Sequence, residues 1–213
     1  FDYRLGARGS ITDSIDWDIT GAYGQSENIQ TIKGYTLNSR FRQSLRAGGT
    51  AAAPVCFDTS NGCVAANVFG TIQPQAIPFL VQESTSFTKT SLAQVKGTIN
   101  GDAGITSPFA EDSVAFAVGG EYRKYTARQG ADALAKGGDL GGAGGATPDI
   151  TGGFDVYEAF GELVVPVAAD KPFINSLTVE GGLRYSSYTV DAPGNPSYNT
   201  TTFKAGGTWE PIE

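Results

Sequence analysis

The stretch GGFDVYEAFGELVVPVAADKPF, Gly152 to Phe173, decides the fold. It sets Asp155, Glu158 and Glu162 in a run otherwise rich in aromatic and β-branched residues. Read with a period of two, Tyr157, Ala159, Leu163 and Val165 share one face, and Glu158, Phe160 and Glu162 share the other. Period two is that of a strand. A soluble sandwich strand alternates with its polar face to water. A membrane barrel strand alternates with its apolar face to lipid and its polar face to the lumen. A catalytic reading fails on spacing: at ~3.3 Å per residue the two glutamates stand about 13 Å apart, beyond both the ~5–5.5 Å and the ~6.5–9.5 Å separations of glycosidase carboxylates. Asp155 has the parity of the apolar set, which predicts a place above the hydrocarbon at the outer rim. The strand is expected to stop near Pro166, with VAADKPFINS turning the chain round.

Six further segments alternate in the same way. Phe1, Tyr3, Leu5, Ala7 and Ile11 oppose Asp2, Arg4, Arg8 and Ser10; Ile15, Trp17, Ile19 and Tyr23 oppose Asp16, Asp18 and Thr20. Ala93, Val95, Ile99 and Ala103 oppose Gln94, Lys96, Thr98, Asn100 and Asp102. Val114, Phe116, Val118 and Tyr122 oppose Glu121 and Arg123. Leu177, Val179, Leu183 and Tyr185 oppose Thr178, Glu180, Arg184 and Ser186; Phe203, Ala205 and Trp209 oppose Lys204, Thr208 and Glu210. Each strand has one apolar and one charged face, and helix periodicity is nearly absent.

Three features favour an all-β, antiparallel up-and-down transmembrane barrel over a soluble sandwich. Short links alternate with longer ones, notably a long external loop over 26–86 and a Gly-rich external loop over 128–152; this is the pattern of outer-membrane barrels. Tyr23, Tyr122, Tyr157 and Tyr185 gather towards the long-loop ends of the apolar faces, with Trp17, Phe116 and Trp209 towards the short-turn ends, which predicts two lipid-facing aromatic belts. The segments run about 10–15 residues, where a tilted membrane strand needs ~9–11. The charged faces then look into a lumen, where Arg4, Arg8, Lys96, Arg123, Arg184 and Lys204 can pair with Asp16, Asp18, Asp102, Glu121, Glu158, Glu162, Glu180 and Glu210. Seven strands leave two open edges, and bacterial single-chain barrels use even numbers from 8 upward. The strands are therefore expected to be one arc of a larger barrel.

Composition narrows the function. The chain has 213 residues, 29 of them Gly, and a net charge of −7, which disfavours a nucleic-acid partner. It has no His, which removes Ser-His, Cys-His and His-metal chemistry, and no activated nucleophile is recognisable, so no catalytic residue and no cofactor is expected. It also has no Met and begins at Phe1, so a piece of a longer protein is expected. Cys56 and Cys63, flanking the turn-forming SNG, suit a small loop closed by a disulfide in an extracytoplasmic setting; the alternative is a pair of free thiols.

With these residues in place, the run from Gly152 through SLTVEGGLRYSSYTV and NTTTFKAGGTWEPIE closely resembles the barrel of TonB-dependent receptors, particularly their large proteobacterial branch. FDYRLGARGSITDSIDWDITGAYGQS is similar to an earlier hairpin of that barrel, CVAANVFGTIQPQAIPFL to a loop element, and SVAFAVGGEYRKYTA to its middle strands. The resemblance implies a 22-stranded barrel in the outer membrane of a Gram-negative bacterium, filled by an N-terminal plug. It also implies a TonB box that contacts the energy-coupling complex, and import of a ferric siderophore, cobalamin, haem or oligosaccharide. The implied partners are outer-membrane lipid, the plug and remaining strands, the TonB complex and a small solute. Plug, TonB box and terminal aromatic strand have no counterpart in these residues. A passive porin-like or adhesive barrel is the alternative function.

Aromatics in the long loop (Tyr35, Phe41, Phe57, Phe69 and Phe79) suit stacking on a solute, and Arg40, Arg42 and Arg46 suit an anionic one; the plain reading is that they pack the loop on itself. The ligand contacts expected first are Tyr35, Arg40, Arg42 and Phe69. KGGDLGGAGGATPD lacks the Gly-Lys-Ser/Thr ending of a phosphate loop and is expected to be mobile, with a lid as its functional alternative. The Gly pairs at 119–120, 181–182 and 206–207 are expected to give curvature or room beside bulky neighbours.

Overall fold

Alternating residues build one seven-stranded antiparallel sheet in which each strand pairs with the next of the sheet in chain order. Its strands are β1 (Asp2–Thr12), β2 (Ile15–Thr36), β5 (Val81–Thr106), β6 (Ser113–Ala131), β7 (Ile150–Lys171), β8 (Ile174–Val190) and β9 (Ser197–Glu210). Between β2 and β5 lie the helix α1 (Asn38–Leu45), the small hairpin β3 (Ala47–Thr50) and β4 (Ala53–Cys56), and the short helix α2 (Ile77–Leu80). Helix α3 (Ala133–Gly137) follows β6. The structure is a computed structural model and describes residues 1–212; Glu213, the last residue of the expected barrel segment, lies outside the described residues.

All seven expected strands are present, the 107–112 link is as expected, and the strands flanking the two long links run further into them. Strand β2 continues to Thr36 and β5 starts at Val81, so the first long link is 37–80 rather than 26–86; the second is 132–149 rather than 128–152. The added strand ends are polar, and cross-strand contacts between Thr31 and Thr85 (Oγ1–Oγ1 2.8 Å) and between Lys33 and Glu83 (3.7 Å) join them. Apolar alternation marks only the part of a strand with an apolar face, whereas the backbone ladder runs on wherever partners exist. Strand β7 also passes through Pro166, where it was expected to stop. The register shifts between Pro166 and Ala168, and a bulge accommodates a residue that has no N–H to donate. The turn contracts to Pro172 and Phe173, closed by the pair Lys171–Ile174. The link 191–196 is no longer than 107–112, so the sorting of loops by length rests on 37–80 and 132–149.

The chain divides into two compact units. The first, Phe1–Ser26, Thr90–Thr126 and Gly152–Glu213, holds the alternating part of the sheet. Its cross-strand register places like residues side by side: Leu5 opposite Gly21, Ala7 opposite Ile19 and Leu183 opposite Phe203 on one face, with Arg8 opposite Asp18 and Gly182 opposite Lys204 on the other. The apolar face carries no second layer. Leu5 is 83% exposed, Leu183 58% and Phe203 84%, and Ile19, Val95 and Leu163 are also exposed. A contiguous apolar surface of this kind marks a face that meets lipid or protein.

The second unit, Glu27–Lys89 and Ala127–Thr151, has small cores of its own. Ala76, Phe79 and Leu80 are buried with Phe41 and Val64 packed on them; Leu37, Ala131, Ala135 and Leu140 form a second cluster. Several contacts tie the Gly-rich link down. Asp132 caps α3 by accepting the Ala135 N–H at 3.0 Å, and Gly138 ends the helix at φ 70°. Thr147 N donates to Ala135 O at 2.9 Å, Asn38 N to Asp139 O at 2.8 Å, and Lys136 pairs with Asp149 at 2.7 Å.

Candidate functional site

Within the first unit, the polar sheet face concentrates its chemistry on β6, β7, β8 and β9. Arg123 Nη2 donates to Glu158 Oε2 at 2.5 Å, and its Nε lies 3.3 Å from Glu121 Oε1 without the alignment of a hydrogen bond. Ser186 Oγ donates to Glu158 Oε1 at 2.6 Å, and Arg184 stands 3.8 Å away from Oε2. The Glu158 side chain is 3% exposed, so a fixed cation and a hydroxyl balance a buried carboxylate. Gln94 Nε2 donates to Glu121 Oε1 at 2.7 Å. Lys204 pairs with Glu162 and lies 3.7 Å from Glu180.

Glycines make room for these side chains. A Cβ on Gly119 would come 2.6 Å from Phe160 Cζ and 2.5 Å from Gly97 O, and one on Gly182 would meet Lys204 Cε at 3.3 Å. One glycine of each pair, Gly119, Gly182 and Gly206, thus lies against a bulky side chain. Phe160, unassigned in the sequence beyond its place on the polar face, takes Lys96 at 5.5 Å and Arg184 at 5.2 Å against its ring. A further aromatic row was missed: Tyr125 stacks on Phe154 at 4.7 Å, and Phe154 approaches Tyr188 at 6.3 Å. The run Arg123-Lys124-Tyr125 and the Phe154–Val156 stretch held that signal, since Tyr125 shares the parity of Arg123 and Phe154 that of Glu158.

Not every expected charge pair forms. Arg4 pairs with Asp2 at 3.3 Å, Asp16 accepts from Ser10 at 2.7 Å, and Asp18 accepts from Thr20 at 3.0 Å. Short hydroxyl side chains on the same face reach these carboxylates with less ordering cost than a long arginine does. Among the described residues, Arg8, Lys96, Asp102 and Glu210 join no ion pair. On the opposite face, Tyr122 and Tyr157 meet at 4.7 Å, Phe1 lies 5.9 Å from Tyr23, and Trp209 Nε1 donates to Phe173 O at 3.0 Å. Tyr185 and Trp209 are exposed, and Trp17 and Phe116 are half-buried.

In the second unit, the expected ligand residues separate. Tyr35 packs against the Leu37–Leu140 cluster. Arg40 Nη1 donates to Phe79 O at 2.9 Å, and its guanidinium lies 5.5 Å from the Phe79 ring, so it holds the loop core together. Phe69 is 98% exposed beside an Asn67 turn. Arg42 lines a pocket of about 470 Å³ with Ser39, Gln43, Arg46, Phe57 and Asp58. Next to it, Cys56 and Cys63 are joined at an S–S distance of 2.08 Å. Two hydrogen bonds from Ser60, its hydroxyl and its backbone N–H, hold the Asp58 carboxyl below its usual range.

An antiparallel sheet with an exposed apolar face and a charged opposite face is the wall of a membrane β-barrel. The whole chain, residues 1–213, matches the family described as TonB dependent receptor-like, beta-barrel, and it belongs to that family. No curated protein and no solved structure matches it. The family is one of outer-membrane transporters and receptors.

Proposed function

We propose that this chain forms part of the wall and external loops of a TonB-dependent outer-membrane receptor for energy-coupled uptake of a scarce solute, a ferric siderophore, cobalamin, haem or oligosaccharide. The single observation that carries this reading is the one-sided sheet. Its apolar face is exposed across seven strands while its other face holds the Arg123–Glu158 and Lys204–Glu162 pairs. In lipid, such a sheet keeps its backbone satisfied only inside a closed barrel, so the remaining strands belong to the same assembly. Trp17, Tyr23, Phe116, Tyr122, Tyr157, Tyr185 and Trp209 then form the lipid-facing belts. The lumenal set runs from Arg4 and Arg8 to Glu210, and the partly exposed Arg184 and Lys204 side chains suit contact with a plug. The links 37–80 and 132–149 face outward and meet the solute.

Uptake of radiolabelled candidate solutes into cells with and without the gene tests this reading. Accumulation should need the gene and should stop when an uncoupler collapses the proton gradient. Gene-dependent uptake that survives the uncoupler would instead identify a passive pore.

A further inference from the structure

The pocket beside the disulfide carries a more specific inference, which rests on the receptor reading above. Helix α1 ends at Leu45 with Arg46 as its C-terminal cap. Arg42 and Arg46 are four residues apart and therefore share a face. Both line the 470 Å³ pocket, and neither joins an ion pair among the described residues. Two guanidinium groups left open on one wall, in a chain of net charge −7, form a local positive site. The one carboxylate in the lining, Asp58, is turned to the Ser60 N–H at 2.9 Å.

Phe57, the cross-strand neighbour of Arg46, adds an aromatic surface to the same lining. Phe57 packs against Gly48, where a Cβ would come within 2.6 Å of its ring, yet Phe57 remains 78% exposed. A phenyl ring backed by glycine and open to solvent is placed to stack on a planar group. Hydrogen bonds tie the lining residues together. Phe57 N donates to Arg46 O at 2.9 Å, and Gln43 Nε2 donates to Asp58 O and Ser60 O at 3.0 Å each. The Cys56–Cys63 bridge closes the segment that carries Phe57 and Asp58. This geometry is held before any ligand arrives, which lowers the ordering cost of binding.

We propose that this pocket binds a solute bearing a carboxylate on a planar, unsaturated ring. The carboxylate lies in the fork of Arg42 and Arg46, because guanidinium groups match a carboxylate in two-point contact. The ring stacks on Phe57. Neither group alone recognises this class, since the arginines accept any anion and the phenyl ring any apolar surface.

The test uses the intact protein in detergent micelles with 4-fluorobenzoate as a fluorine-NMR reporter. Unlabelled benzoate, cyclohexanecarboxylate and benzamide compete against it. Benzoate is expected to displace the reporter at roughly tenfold lower concentration than either control, because one lacks the flat ring and the other the charge; tenfold corresponds to ~1.4 kcal/mol. Arg42→Ala, Arg46→Ala and Phe57→Ala should each weaken benzoate about tenfold, and Phe57→Tyr should retain it. Formation of the Cys56–Cys63 bridge, read by mass, shows that each variant loop is folded. Equal competition by the three compounds, absence of reporter binding, or undiminished binding in a folded Arg42→Ala/Arg46→Ala protein overturns the proposal. Binding is read without transport. Absence of selective binding in the wild-type protein beside intact energised uptake overturns the pocket alone, and selective binding without energised uptake overturns the receptor reading alone.

Discussion

Arg123 and Glu158 face each other across β6 and β7 at 2.5 Å, with the glutamate almost wholly enclosed and the arginine side chain only 26% exposed. Glu158 depends on that cation, since its other basic neighbour, Arg184, is 3.8 Å away and half-exposed. Arg123→Ala leaves a buried carboxylate without its charge partner and should cost about 3–5 kcal/mol. Arg184→Ala removes a loose, hydrated pair and should cost under ~1 kcal/mol. The temperature at which the intact protein loses its folded mobility on a semi-native gel reads both. Equal losses for the two variants would contradict this account of the pair.

Gly119 and Gly181 separate steric need from tolerance. At Gly119 an added methyl meets Gly97 O at 2.5 Å and the Phe160 ring at 2.6 Å, one of which is rigid backbone. Gly119→Ala should destabilise by about 1–3 kcal/mol, the usual cost of overpacking. At Gly181 the nearest atom is Lys204 O at 3.9 Å, so Gly181→Ala should change stability by less than ~0.5 kcal/mol. The same melting assay compares them.

Asp132 makes the second unit sensitive to acid. The Ala135 and Thr85 backbone N–H groups, then the Ser84 hydroxyl, hold its carboxyl below the ordinary range, against the opposing effect of burial. A carboxyl whose folded pKa is depressed stabilises fully above its unfolded value, about 3.9, and loses that contribution as pH falls through the folded value. Asp149, held down by Lys136, acts in the same direction. Amide exchange at Ala135 and Thr85 should therefore be pH-insensitive in its protection from pH 7 to about 5 and lose protection below about pH 4. Asp132→Asn should blunt this loss without abolishing it. Protection that stays constant to pH 2 would contradict the assignment.

The Cys56–Cys63 bridge stabilises a local segment. It spans seven positions, and closing so small a loop contributes about 2–3 kcal/mol in the chain-entropy picture. Reduction should expose 37–80 to limited proteolysis while leaving the melting temperature of the sheet unchanged. A matched fall in both would show that the two units unfold together.

The sheet was legible because period-two alternation survives in every strand. Glu158 and Glu162 alone fixed which face of β7 is polar, and the register with β8 carries that choice to Arg184 and Lys204. The polar ends of β2, β5 and β6 carry no apolar stripe and were invisible to the same rule. Pro166 misled because a bulge removes its hydrogen-bonding penalty. Among the loop residues, side-chain type alone could not divide Arg40, consumed by Phe79, from Arg42, which opens on a pocket. That distinction depends on contacts between residues far apart in the chain.

In the proposed receptor, the apolar face of this sheet meets lipid and the charged face meets a lumen. Spin labels placed singly at Tyr157, Glu158, Ala159, Phe160, Gly161, Glu162 and Leu163 of the intact protein, reconstituted in bilayers, test it by relaxation with oxygen and with a water-soluble nickel chelate. The account predicts a period of two, with oxygen dominant at 157, 159, 161 and 163 and depressed at 158, 160 and 162. Nickel accessibility at the odd positions, or the same oxygen accessibility on both faces, would contradict it.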